Sequence, residues 1–225
     1  MTDVDDLTGS DGSGPWPAFA DLLAATSLLF LILFAAVAVP AIRRVAVAEG
    51  QRSKIKRLQD ALTREASGHR IEVQPVGDYL RIIIKGNATF PQDQYALATL
   101  RPEGKQILRS VGQLIRRDSL LDDIDQVQVV GHTSTEGSDE RNWVLSASRA
   151  ATVSLFLIDS VQIPACQVTA MGRSRYYPVD ATRAKASGAI DANDRRIELE
   201  VRPVIPGDLN QQLRRKDCID ARRRP

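Results

Sequence analysis

Cysteine and histidine are scarce in this chain, with two of each in 225 residues. Cys166 and Cys218 form no CxxC pair, no Cys/His spacing suits zinc, and His69 and His132 stand far apart. No metal or cofactor is therefore expected. With no nucleophile–base pair either, the chain does not read as an enzyme. Two cysteines leave two options open: one disulfide in an oxidising compartment, or two buried thiols. Net charge is nearly absent at +2, which gives no reason to expect nucleic acid. The first fifteen residues hold Asp3, Asp5, Asp6 and Asp11 and no base. A cleaved signal peptide starts basic, so the apolar run that follows is expected to stay on the chain.

That run is the main feature present. "PWPAFADLLAATSLLFLILFAAVAVPAI" covers residues 15–42, and from Ala18 to Ile42 it is broken only by Asp21, Thr26 and Ser27. As a helix it spans roughly 37 Å, more than the roughly 30 Å hydrocarbon core of a bilayer. A transmembrane helix over 15–42 is expected, with Trp16 at the interface and Pro40 near the far end, where it is tolerated. The small, acidic leader 1–14 reads as disordered. Asp21 has two readings. It can cap a helix that starts at Leu22. Alternatively, Pro17 suits a first turn and Trp16 an interface, which starts the helix earlier and places the acid a turn inside. There it would be paired, or would line a path within a bundle.

Residues 43–70 are charged and helix-prone. Ile55, Leu58 and Leu62 are spaced as in a heptad seam, which fits either a solvated linker helix or a pairing coil. Beyond residue 70 the pattern alternates. "IEVQPV" and "YLRIIIK" read as strands around a turn at Gly77–Asp78. Arg101 to Arg117 reads as a helix with Pro102 in its first turn, and Asp139 to Asp159 as a second helix. "DQVQVVG", "CQVTAMG" and "RRIELEV" read as strands, and "LDDID" as a solvated turn. This order predicts an α/β (α+β) sandwich over 71–205, with helices on one face of a mixed sheet. A basic tail, 206–225, follows.

Four stretches carry two resemblances. "VVGHTSTEGSDERNWVLSASRAATVSLFL" resembles the core motif of OmpA-like peptidoglycan-binding domains: G-H-T-D, a glycine three residues on, then N-x-x-L-S-x-x-R-A. Gly131, His132, Thr133, Gly137, Asn142, Leu145, Ser146, Arg149 and Ala150 fall in register. "AMGRSRYYPV" and "NDRRIELEV" resemble that family's later turn and closing strand. "PWPAFADLLAATSLLFLILF" looks like the membrane segment of MotB-type stator subunits, with Pro15, Ala20, Asp21 and Leu22 matching. Together they resemble a single-span MotB/OmpA-like subunit. The compact length looks most like the ZorB component of Zorya anti-phage systems.

The resemblance implies roles. Asp21 would accept and release a proton against a multi-span MotA/ZorA-like partner, with a second copy of the chain completing the complex. Arg149 would hold the diaminopimelate carboxylate of a peptidoglycan stem peptide, with Asn142 hydrogen-bonding nearby and Leu145 packing the site. Ser134 stands where the family has an acid for the ligand's ammonium; a hydroxyl carries no charge, so either Glu136 or Asp139 substitutes, or binding is weak or the ligand differs. His132 and Arg196 read as structural. The implied location is the inner membrane, with a cytoplasmic N-terminus and a periplasmic domain, where a Cys166–Cys218 disulfide could form. Arg43, Arg44, Arg52, Lys54, Lys56 and Arg57 after the span argue for the opposite orientation when taken alone. Flagellar rotation and a plain wall tether are the alternatives.

Overall fold

A computed structural model describes residues 16–66, 71–116, 120–179 and 192–205, with Asp208, Gln211, Leu213 and Cys218. The leader 1–14 and most of the basic tail lie outside the described residues. The chain divides into two compact units, Met1–Ala48 and Glu49–Pro225.

In the first unit, helix α1 (Trp16–Ala66) carries the apolar stretch. Phe19–Arg43 is the one described segment long and apolar enough to cross a membrane, with mean hydropathy 2.7. Its large apolar side chains, Phe30 and Phe34 among them, are exposed. Because α1 already runs from Trp16, Asp21 lies more than a turn inside it and does not cap it. The Thr26 hydroxyl donates back to Leu23 O at 3.0 Å.

The second unit takes the end of α1 and then a five-stranded sheet. Strands β1 (Ile71–Val76) and β2 (Tyr79–Lys85) form an antiparallel hairpin closed at Gly77–Asp78. Helices α2 (Gly86–Thr89), α3 (Pro102–Arg116) and α4 (Leu120–Asp123) precede β3 (Ile124–His132). Helix α5 (Asp139–Asp159), β4 (Val168–Gly172) and β5 (Arg196–Pro203) complete the order. The sheet runs β1-β2-β5-β3-β4. Only β3 and β4 pair in parallel. Strand alternation decides the faces: Ile82 and Ile84 of β2, Val129 of β3 and Leu199 of β5 are buried in one core with Leu108 of α3 and Leu157 of α5.

Three expectations need correction. The segment read as a solvated turn, "LDDID", is helix α4 running directly into β3, because Ile124 belongs to the core and draws the segment onto it. The strand expected from Cys166 starts at Val168, since Ala165–Gln167 form a 3-10 turn. The third correction concerns the linker helix. Ile55, Leu58 and Leu62 are neither solvated nor left facing outward for a partner coil; all three are buried in the domain core. Ile55 and Leu58 face Leu80, Ile124, Val201 and Pro203 across a cavity of only about 20 Å³. The seam has the right spacing for a partner helix, but it meets the domain's own sheet.

Leu62→Ala is accordingly expected to destabilise the domain by about 2–5 kcal/mol, the usual range for a buried leucine. Denaturant unfolding measures it, and an unchanged midpoint would return this stretch to the status of a linker.

Candidate functional site

Helix α5 sits against strands that lack side chains at the contact. Gly131 of β3 pairs with Gly172 of β4. A Cβ on Gly131 would overlap the carbonyl oxygen of Ser146, and one on Gly172 would lie 2.7 Å from Ser146 Oγ and from Ala147 N. Only glycine permits this approach. Ser146 Oγ donates to Trp143 O at 3.0 Å and accepts from Ser174 N at 3.1 Å, tying the turn after β4 to the helix. At the helix start, Ser138 Oγ accepts from Arg141 N at 3.3 Å, with Asp139 and Glu140 in the first turn, as the helix dipole favours.

Asn142, Leu145 and Arg149 stand on the buried face of α5. Asn142 Nδ2 donates to Glu136 O at 2.8 Å and so holds the loop after β3. Arg149 Nε donates to Gln94 O at 2.8 Å and Nη2 to Pro91 O at 3.0 Å. Its guanidinium also lies over the Phe90 ring, 5.7 Å from the centroid. Arg149 thus organises the 90–95 segment, whose part in the site was not foreseen. The turn formers Pro91 and Asp93 were the only signal in the sequence there, and Asp93 does adopt φ 60°. Gln92 joins the two loops by donating to Glu136 at 3.3 Å; Arg141 of α5 holds Asp93 at 2.8 Å, and Arg195, just before β5, holds Glu136 at 3.3 Å.

The site is short of negative charge at its floor. Arg149 is 4% exposed and, among the described residues, forms no ion pair with an acid. Burial lowers its pKa to about 10, the Arg195 charge adds to that, and Asp93 opposes it. Of the acids considered as substitutes for the missing family aspartate, Asp139 is held by Arg175 at 2.8 Å, and Glu136 sits between Gln92 and Arg195. Ser134 itself is buried at the start of the loop.

The opposite face of the sheet handles charge differently. Glu198 and Glu200 of β5 point away from the helices yet are buried. Arg196 Nε lies 2.7 Å and Arg81 Nε 3.3 Å from Glu198. Arg173 and Arg202 lie 3.3 and 3.1 Å from Glu200. His132 Nε2 is 3.4 Å from Glu198. Arg196 also donates to Asp194 O and Tyr177 O, which gives it a structural part. Burial pushes His132 below its ordinary value, helped by Arg196 and Arg173 and opposed by Glu198. For Glu198, burial favours the neutral acid, but the His132 contact and then Arg196 outweigh it and hold the carboxyl down at about 2. Elsewhere, Cys166 and Cys218 are joined as a disulfide, their Cα atoms 5.8 Å apart. Among the described residues no group of His, Cys, Asp and Glu could hold a metal.

Residues 89–191, which span α5 and both loops, match the OmpA family. Over those residues the domain resembles the OmpA family. Outer membrane protein A of Shimwellia blattae is 40% identical over 114 residues, covering 48% of this chain and 46% of that protein. That of Bordetella avium is 31% identical over 121 residues, covering 54% and 57%. The chain therefore spans about half the length of these curated relatives. Among solved structures, the cell wall anchor of the T6SS from Pseudomonas aeruginosa aligns with the OmpA-like domain at TM-score 0.52 and 28% identity, covering 65% of this chain and 97% of that one. A MotB-like protein from Desulfovibrio vulgaris shares the fold at TM-score 0.55 and 18% identity, covering 71% and 98%. The expected α/β sandwich with helices on one face is the fold found, and an apolar helix precedes it.

Acid weakens the buried network on the sheet face. The unfolded chain takes up a proton at His132 near pH 6.5 and at Glu198 near pH 4.5, and the folded chain resists both. Stability therefore falls as pH drops through 6.5, and again from 4.5 towards 2. The Glu198 share is roughly 3 kcal/mol. Thermal melts from pH 7.5 to 3 should show Tm falling in both windows. Glu198→Gln should flatten the lower one and be less stable at pH 7, where it leaves arginines without their partner; a variant profile parallel to wild type would contradict this.

Proposed function

We propose that the chain is a single-span, MotB-like subunit that anchors an ion-driven membrane complex to peptidoglycan. Arg149 carries the wall-binding half. A buried guanidinium with no acid of its own, repelled by Arg195, is a site that gains from an incoming carboxylate. The stem-peptide diaminopimelate supplies one. Asn142 and Leu145 flank Arg149 on the same helix face, and Glu136, which already pairs with Arg195, would have to exchange that partner to supply the negative charge that Ser134 lacks. The likeness to a protein described as a cell wall anchor, over 97% of its length, supports this reading.

Asp21 carries the ion-driven half. A carboxylate inside an apolar helix, and not at its cap, is costly in lipid unless a partner encloses it. We assign it the proton-carrying role, with a MotA/ZorA-like multi-span protein as partner and a second copy of this chain beside it. The domain then lies in the periplasm and the leader in the cytoplasm. The Cys166–Cys218 disulfide supports an oxidising compartment against the Lys/Arg pattern after the span. Within this class, a ZorB-like role in Zorya anti-phage defence is the finer reading, with flagellar rotation beside it. A neighbouring gene for a MotA-like protein with a long cytoplasmic tail would support defence; a flagellar operon would support rotation. The second reading is a wall tether without ion transport, favoured by the same cell wall anchor likeness.

Arg149→Ala is expected to weaken retention on purified peptidoglycan about 10- to 100-fold, the range for a lost charge-assisted hydrogen bond. Arg149→Lys, which keeps the charge without the fork, should recover only part of it; unchanged retention in Arg149→Ala would reject the pocket as the anchor. Asp21→Asn is expected to abolish proton flux in vesicles while leaving complex assembly and wall retention intact. Wild-type flux in that variant would leave the tether reading standing.

A further inference from the structure

On the same helix as Arg149, the domain presents aromatic rings that no described residue covers. Trp143 follows Asn142 on α5 and so turns about 100° away from the pocket floor. It is 46% exposed, and Tyr176, in the turn after β4, is 53% exposed. Their ring centroids lie 6.0 Å apart with planes inclined by 37°, so together they form a shallow, splayed surface.

The surface is held from behind. The Arg175 guanidinium lies 5.9 Å from the Tyr176 centroid. It is fixed by Asp139 Oδ1 at 2.8 Å and donates to Thr135 O at 3.4 Å. Next to it, Arg173 lies 5.1 Å from the Tyr177 centroid and pairs with Glu200 at 3.3 Å. Each tyrosine is thus braced by a guanidinium that is itself fixed, which lowers the entropy lost when a ligand stacks on the ring. The brace residues Thr135 and Asp139 belong to the same short stretch as Glu136, whose carbonyl Asn142 holds. The rings therefore stand on the same loop and helix start that carry Asn142.

We propose that Trp143 and Tyr176 form a sugar-stacking subsite for the glycan strand of the same peptidoglycan whose stem peptide enters the Arg149 pocket. This rests on the wall-binding reading above. The electropositive C–H face of a pyranose is complementary to the electron-rich face of an aromatic ring. Two inclined rings beside fixed guanidinium donors match a flat, hydroxyl-rimmed ligand. A purely apolar partner would leave those donors facing a surface with no acceptors. The peptide is bonded to its sugar, so a ligand seated in the pocket carries a pyranose to this neighbouring surface.

The test compares two soluble probes on the full chain in detergent: a disaccharide–tetrapeptide muropeptide, and the same tetrapeptide without sugar. Trp143→Ala with Tyr176→Ala should weaken muropeptide binding about three- to tenfold, as expected for lost ring stacking, and leave tetrapeptide binding unchanged. Trp143→Phe should retain most of the affinity, because it keeps a ring. The chain has two tryptophans, so a Trp16→Phe background isolates Trp143. Its emission should shift with the muropeptide and not with the tetrapeptide. Equal loss of both probes, or loss of neither, overturns the sugar subsite while the pocket reading stands. Vesicle binding that depends on Trp143, with no effect on the muropeptide, overturns it in favour of a lipid contact. Failure of the wild-type chain to bind either probe rejects the pocket reading, and this one with it.

Discussion

The contact of Ser146 with the paired glycines Gly131 and Gly172 is the constraint from which the rest of the domain follows. Helix α5 lies within backbone contact of β3 and β4 because neither strand carries a Cβ there. That fixes both the height and the rotation of the helix. Rotation decides which residues face the 90–95 segment, and so where the Arg149 fork meets the carbonyls of Pro91 and Gln94. It also decides that Asn142 meets the loop after β3, and that Trp143 is turned outward. Adding a methyl group at either glycine would lift the helix, and every one of these contacts would shift together.

The domain buries cations in two ways. On the sheet face, Arg196 and Arg81 flank Glu198, and Arg173 and Arg202 flank Glu200. Those charges are matched internally, and such a cluster mainly penalises the loss of any one member. Beneath the loops, Arg149 donates to the neutral carbonyls of Pro91 and Gln94, and among the described residues it forms no ion pair. Asp93 favours its charge from farther away, while Arg195 opposes it. The contrast separates cations paired directly with acids from one held by backbone dipoles.

Much of this was legible in the sequence where local pattern and fixed spacing agree. Helix α5 has the bounds read for it, Asp139–Asp159, because a capping serine, acidic first turn and apolar periodicity all mark the same ends. Three things were not legible, for distinct reasons. The seam of Ile55, Leu58 and Leu62 showed that it needed a partner, but spacing does not say which surface supplies it. The 90–95 segment meets Arg149 through backbone carbonyls 55 and 58 residues away, and backbone acceptors leave no mark on residue identity. Alternation in "RIELEV" puts Glu198 and Glu200 on one face of β5, yet does not say that Arg81 of β2 and Arg173, just past β4, join the strand's own Arg196 and Arg202 in covering them.

The strand order also governs when this domain can exist. Strands β2 and β3 do not touch; β5, the last in sequence, lies between them and pairs with both. Until residues 196–203 have been made, the chain holds only a β1–β2 hairpin and a β3–β4 parallel pair with an open gap between them. Isolated fragments of that kind are marginal in water. A chain synthesised from its N-terminus is therefore kept from closing this sheet until residues 196–203 have emerged, and the late arrival of β5 keeps the preceding polypeptide threadable through a narrow channel for as long as that lasts.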